Sequence, residues 1–218
     1  MKKLRIILSI TMLVPSTLSA QFFVDNLSNP VGFTASLRHD FWHATSFTTG
    51  SNPNGYILEG IQTVFFDSLG SPSDYEMKIA EDSMGGPAMA IETLSGPTPN
   101  TSGQFGYTSN GLFLNPNATY WVIHTSLDSD GSELSLDLTS ATSEFSADSW
   151  TIGDTLFTSV DQGLTWGASL PDPSRFGVEA MAVVPEVTDF AVYSTVGLLA
   201  FVVCRRVRNG ATHCNRCS

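Results

Sequence analysis

The chain has no cysteine before residue 204: its three, Cys204, Cys214 and Cys217, all stand near the end. A body without thiols cannot be stapled by disulfides, so its order must rest on burial alone. Positive charge is almost as scarce. All 21 acidic residues lie between Asp25 and Asp189, where only Arg38, Lys78 and Arg175 are basic, and 21 acids against three bases leave that stretch at −18. Neutralising phosphates needs clustered Lys and Arg, so a nucleic-acid partner is excluded and direct adsorption to an anionic bilayer is disfavoured. Charged residues make up only 14% of the chain, against about 25% in an average soluble domain. Its polar surface is therefore built mainly from hydroxyls and amides. Helical periodicity is missing as well, since no long stretch of the body repeats apolar residues every three or four positions.

The body carries instead short runs rich in aromatic and β-branched residues, separated by Gly, Pro, Asn and Ser. These predict strands at Gln21–Asp25, Phe41–Thr49, Tyr56–Phe66, Tyr75–Glu81, Met89–Leu94 and Gly103–Thr108. Further strands are predicted at Thr119–Ser126, Leu134–Thr139, Trp150–Thr151, Leu156–Ser159 and Phe176–Val183. Alternation in Glu76–Glu81 and Leu134–Leu138 gives each one buried face, whereas Tyr120-Trp121-Val122-Ile123 is apolar on both faces, as in a central strand. The expected fold is all-β: a two-sheet, jelly-roll-like β-sandwich, followed by a single short C-terminal hydrophobic helix.

Both ends are hydrophobic. Lys2, Lys3 and Arg5 precede the apolar run Ile6–Val14 and the small residues up to Ala20, the pattern of a signal peptide cut after Ala20 by signal peptidase. The second segment, Phe190–Cys204, spans 15 residues. At ~1.5 Å each this gives roughly 22 Å, short of a ~30 Å hydrocarbon core unless arginines snorkel or the bilayer thins. Arg205, Arg206 and Arg208 follow it and orient its C-terminal side to the cytoplasm. The expected organisation is a signal peptide at 1–20, an extracellular sandwich at 21–183, a sorting or anchor segment at 184–208 and a short cytoplasmic tail at 209–218.

Val184-Pro185-Glu186, the short apolar helix and the cluster Arg205, Arg206 and Arg208 together resemble the PEP-CTERM sorting signal of Gram-negative bacteria, with Val187 where a second proline is usual. The resemblance implies processing by an exosortase-type transpeptidase after a transient stay in the inner membrane, then delivery to the cell surface or medium. Ser46-Phe47-Thr48-Thr49-Gly50, Gly111–Asn117 with Thr119-Tyr120-Trp121, and Ser149–Asp154 resemble the choice-of-anchor R domain over roughly residues 40–183. That resemblance implies a surface location and no assigned activity.

Ser159-Val160-Asp161-Gln162-Gly163-Leu164-Thr165-Trp166 fits the Asp-box pattern S-x-D-x-G-x-T-W. Asp161 should bind backbone N–H groups in a turn where Gly163 takes positive φ, with Thr165 and Trp166 completing the hairpin. One copy predicts a structural hairpin rather than a sialidase. Asp128, Asp130 and Glu133 form a weak calcium candidate, since the loop lacks the acidic spacing of an EF-hand. No cofactor or firm metal site is expected. His39 and His43, four apart, would lie ~13 Å from each other on one strand face, beyond the reach of a single zinc. His124, in a central strand, reads as a satisfied sheet residue, and no nucleophile pairs with any histidine. The chain is therefore expected to be a non-enzymatic surface or matrix protein. The alternative is a module binding extracellular polysaccharide through Trp42, Trp121, Trp150 or Trp166: exposed, coplanar tryptophans would favour it, four buried ones the structural reading.

Overall fold

A computed structural model describes residues 21–70, 72–129, 131–142 and 145–185. Every element named among them is a strand: β1 (Gln21–Asp25), β2 (Phe33–Leu37), β3 (Trp42–Thr48), β4 (Tyr56–Leu69), β5 (Tyr75–Ser83), β6 (Gly86–Leu94) and β7 (Gly103–Thr108). The chain continues with β8 (Phe113–Leu114), β9 (Thr119–Ser126), β10 (Glu133–Leu138), β11 (Phe145–Ser146), β12 (Thr151–Ser159), β13 (Gly167–Leu170) and β14 (Phe176–Ala182). The fold is an all-β pair of sheets. The expected C-terminal helix, the signal peptide and the tail lie outside the described residues.

One sheet runs β11-β1-β14-β4-β10-β2, with β7 and β8 also paired to β4; the other runs β13-β12-β3-β9-β5-β6. Alternation decides which side chains meet between them. On β10, Leu134 and Leu136 point into the main core; on β5, Met77 and Ile79 do so while Lys78 faces out. Trp150 is fully buried at the centre of this core, stacked 5.8 Å from Phe47 and edge-on to Tyr56 at 4.9 Å. Such aromatic pairs add to the area they bury.

The sequence predicts two strands here, Trp150–Thr151 and Leu156–Ser159, but the chain bridges the gap at 152–155. The β3 register slips between Ile152 and Leu156, making one bulged strand, β12. Gly153 packs against Ser46 there: an added Cβ would displace the Ser46 hydroxyl, while the Ser46 Cβ and carbonyl oxygen stand at ordinary contact distance, 3.5 Å. The short strands β2, β8, β11 and β13 are additional to the sequence reading.

The interior is not wholly apolar. Asn26 Nδ2 donates to Ser174 O at 3.1 Å, and Ser174 Oγ is hydrogen-bonded to Thr45 Oγ1 at 2.9 Å. These bonds satisfy buried polar groups where the chain turns into β14. The unit that holds the sandwich ends at Val183.

Candidate functional site

Antiparallel register sorts the six-stranded sheet into two faces. His43 and His124 are opposite one another and face inward with Met77; Ala44 pairs with Ile123 and Ser46 with Trp121, facing outward. The outward set forms a small cluster of its own, Ala44, Ala80, Trp121 and Ile123, against which Phe157 and Trp166 pack. An apolar outer face needs cover, and two hairpins from the sheet's edges supply it.

The first is the Asp-box hairpin between β12 and β13. Asp161 Oδ1 accepts from Thr165 N at 2.9 Å and from Ser159 Oγ at 2.7 Å, and Oδ2 accepts from Thr165 Oγ1 at 2.6 Å. These bonds hold the Asp161 carboxyl down at about 2. Ser159 Oγ accepts from Gly163 N at 2.7 Å, and Gln162 and Gly163 both take positive φ, 59° and 85°. Gly163 lies so close to Trp42 that a Cβ there would stand 3.1 Å from the ring. Trp166 is half-buried against the outer cluster.

The second is the β5–β6 hairpin, which turns at Met84 and Gly85, both at positive φ, as in the tight type I′ turn. Asp82 pins it to the sheet: Oδ1 accepts from Trp121 Nε1 at 2.9 Å and Oδ2 from Gly85 N at 3.1 Å. Its Gly86 faces Phe157 of β12, 3.8 Å away if a Cβ is added. Two hollows remain on this face. The larger, about 570 Å³, has Trp42, Lys78 and Ile123 together with Leu164 and Trp166 of the Asp-box hairpin and Met89 of β6. The smaller, about 320 Å³, is lined by Trp121, Phe157, Asp82, Asp154, Thr119 and Thr155 among others.

The candidate tryptophans thus divide. Trp150 is in the inter-sheet core, Trp42 and Trp121 are buried under the hairpins, and Trp166 is half-exposed. No exposed coplanar pair stands among the described residues. Lys78 Nζ lies 5.3 Å over the Trp42 ring and 2.8 Å from Glu76 Oε2, so both the cation and the ring are engaged.

The two calcium candidates that can be placed are committed elsewhere. Asp128 accepts from Ser73 N at 2.7 Å, Ser73 Oγ at 2.6 Å and Asp74 N at 3.0 Å, while Glu133 accepts from Ser36 Oγ. Asp130 lies outside the described residues. Among those residues no cluster of His, Cys, Asp and Glu is arranged to hold a metal.

The histidines differ in hydrogen-bond partners as well as in position. His39 sits in the turn before β3, its Nδ1 3.0 Å from Leu127 O. His43 Nε2 donates to Ser36 O at 2.6 Å, and His124 Nδ1 is hydrogen-bonded to the Tyr75 hydroxyl at 2.8 Å. Burial drives His43 down to about 4 and His124 to about 3, with His43 adding to the shift at His124. Neither ring lines the two outer hollows.

Of the residues expected to form a sorting signal, Val184 and Pro185 are described and exposed, Val184 to 56%. Glu186, Arg205, Arg206 and Arg208 lie outside the described residues. Asp82, Asp154 and Phe157 were not among the sequence candidates. The available signal was Trp121 itself: an aromatic on the outward phase of a central strand requires something above it. Comparison with family models, with curated proteins and with solved structures finds no match.

Proposed function

We propose that the chain is an exported, non-catalytic protein of the Gram-negative cell surface or extracellular matrix. Its jelly-roll-like sandwich is the displayed part. Signal peptidase releases it at Ala20, and an exosortase-type enzyme acts on the segment beginning Val184-Pro185-Glu186 after transient anchoring in the inner membrane through residues 190–204.

The observation that carries this reading is where the sandwich stops. Val183 N donates to Gly55 O at 3.0 Å, and Val183 O accepts from Asn52 Nδ2 at 3.0 Å. The next two residues are exposed, and they are the first two of the sorting-signal pattern. Proline disfavours a helical residue before it, so the chain at Val184 is kept extended. A transpeptidase needs such an accessible, extended backbone. The test is secretion in a Gram-negative host that carries an exosortase, comparing wild type with Arg205→Gln/Arg206→Gln and Pro185→Ala. Surface delivery of wild type with inner-membrane retention of the variants is expected. Equal delivery of all three would contradict the proposal.

A further inference from the structure

We infer that the larger hollow on the outer face of the six-stranded sheet is a self-association surface, seating Leu164 of a second copy of this chain about a two-fold axis. This goes beyond the sorting proposal and does not rest on it.

The hollow is an apolar trough with exposed sides. Trp42 and Ile123 are buried in its floor, while Leu164 of the Asp-box hairpin and Met89 of β6 stand at its margins, exposed to 84% and 88%. Side chains so exposed bury little apolar area within their own chain and have that area to gain from a partner. A cavity of about 150 Å³ already accepts benzene. The hollow, at about 570 Å³, therefore takes an aliphatic side chain from outside. Trp42 Nε1 already donates to His39 O at 3.1 Å, so covering the ring strands no donor.

Charge decides the occupant. No Asp or Glu lines this hollow, whereas the smaller one carries Asp82 and Asp154, and a third beside Arg38 carries Asp40 and Asp128. Its one charged residue, Lys78, is paired with Glu76 at 2.8 Å and brings no net charge to the face. In a stretch of 21 acids and three bases, that depletion gives two copies a place to meet without bringing carboxylates together. Few charges, with Trp and Met present, is also the composition of an interface core. A cationic partner would be drawn instead to the carboxylates elsewhere. Symmetry supplies the fit. Projecting side chain and hollow share one face, so a two-fold axis lets each Leu164 enter the other copy's hollow, and the assembly closes at two.

The experiment is sedimentation equilibrium of the purified protein as recovered after export. NaCl is varied from about 0.1 M to about 1 M, which shortens the screening length from about 10 Å to about 3 Å. A monomer–dimer equilibrium is expected, tighter in high salt because the acidic remainder of each copy repels the other. Leu164→Glu and Met89→Glu, both at exposed sites, should each weaken the dimer at least tenfold with an unchanged circular dichroism spectrum. Met84→Glu adds the same charge on the β5–β6 turn, outside the hollow, and should stay within about threefold of wild type. A monomer in both salts, a dimer that Leu164→Glu and Met89→Glu both leave intact, or one that loosens as salt rises would overturn the assignment. So would a monomer that takes up an apolar dye as wild type but not as Leu164→Glu, which would give the hollow to a small apolar ligand.

Discussion

Arg175 and Asp137 form an ion pair inside the sandwich, with Arg175 Nη1 2.9 Å from Asp137 Oδ2 and side chains exposed to only 13% and 5%. A second bond runs from Arg175 Nη2 to Leu27 O, so one cation ties β10 to the loop that follows β1 and to the start of β14. Burial raises the Asp137 carboxyl above the usual range even though the guanidinium pulls it down. The pair is thus held against a desolvation cost.

Removing one partner should therefore be severe. Arg175→Met is expected to cost about 3–5 kcal/mol at pH 7, because it leaves a buried carboxylate unpaired. The carboxyl would then sit higher still, so the loss should shrink as pH falls through its folded pKa and it protonates. Asp137→Asn in the same background should recover most of the stability. Urea denaturation at pH 7 and pH 5 reads both effects, and an equal loss at the two pH values would show that the charge is not its cause.

The buried histidine pair predicts a different pH window. Both rings sit well below their unfolded value of about 6.5, at about 4 for His43 and about 3 for His124. Below pH 6.5 the unfolded chain takes up protons that the fold refuses, so stability is full above that point and falls as pH drops toward 4 and then 3. The slope for two such sites approaches 2.7 kcal/mol per pH unit, at about 1.36 kcal/mol each. Melting curves between pH 7 and pH 4 measure it. A His43→Gln/His124→Gln variant should lose that slope even where it is less stable overall.

Gly163 joins the Asp-box hairpin to the sheet beneath it. Its φ of 85° strains any L side chain, and an added Cβ would stand 3.1 Å from the Trp42 ring. Gly163→Ala should cost about 1–2 kcal/mol for the left-handed backbone alone, and cleavage near the exposed Leu164 in limited proteolysis should quicken. Asp161→Ala should produce the same cleavage without the clash against Trp42. Resistance equal to wild type in both would show that the hairpin is held by something other than its own turn bonds.

These features were not equally legible in the sequence. The Asp-box hairpin was, because its partners, Ser159 to Trp166, are neighbours along the chain and the pattern states the turn chemistry. The alternation of Leu134, Leu136 and Leu138 was too, since period two survives any arrangement of sheets. Strand β2 was not, because Ala35 and Ser36 are too small to mark a buried face. The pairs His43–His124, Asp82–Trp121 and Asp137–Arg175 are set by register between strands distant in sequence, and only the folded topology brings them together. The same holds for the smaller hollow, whose two carboxylates, on β5 and β12, come from opposite sides of β9.

The most direct test of the account is intact-mass analysis of the protein recovered from the cell surface or medium of a Gram-negative host that carries an exosortase and expresses it. The expected mass begins at Gln21 and ends near Val184-Pro185-Glu186, without Arg205, Arg206, Cys214 or Cys217. A surface protein that still carries Cys214 and Cys217 would contradict it, and would make residues 190–204 a permanent anchor rather than a processed signal.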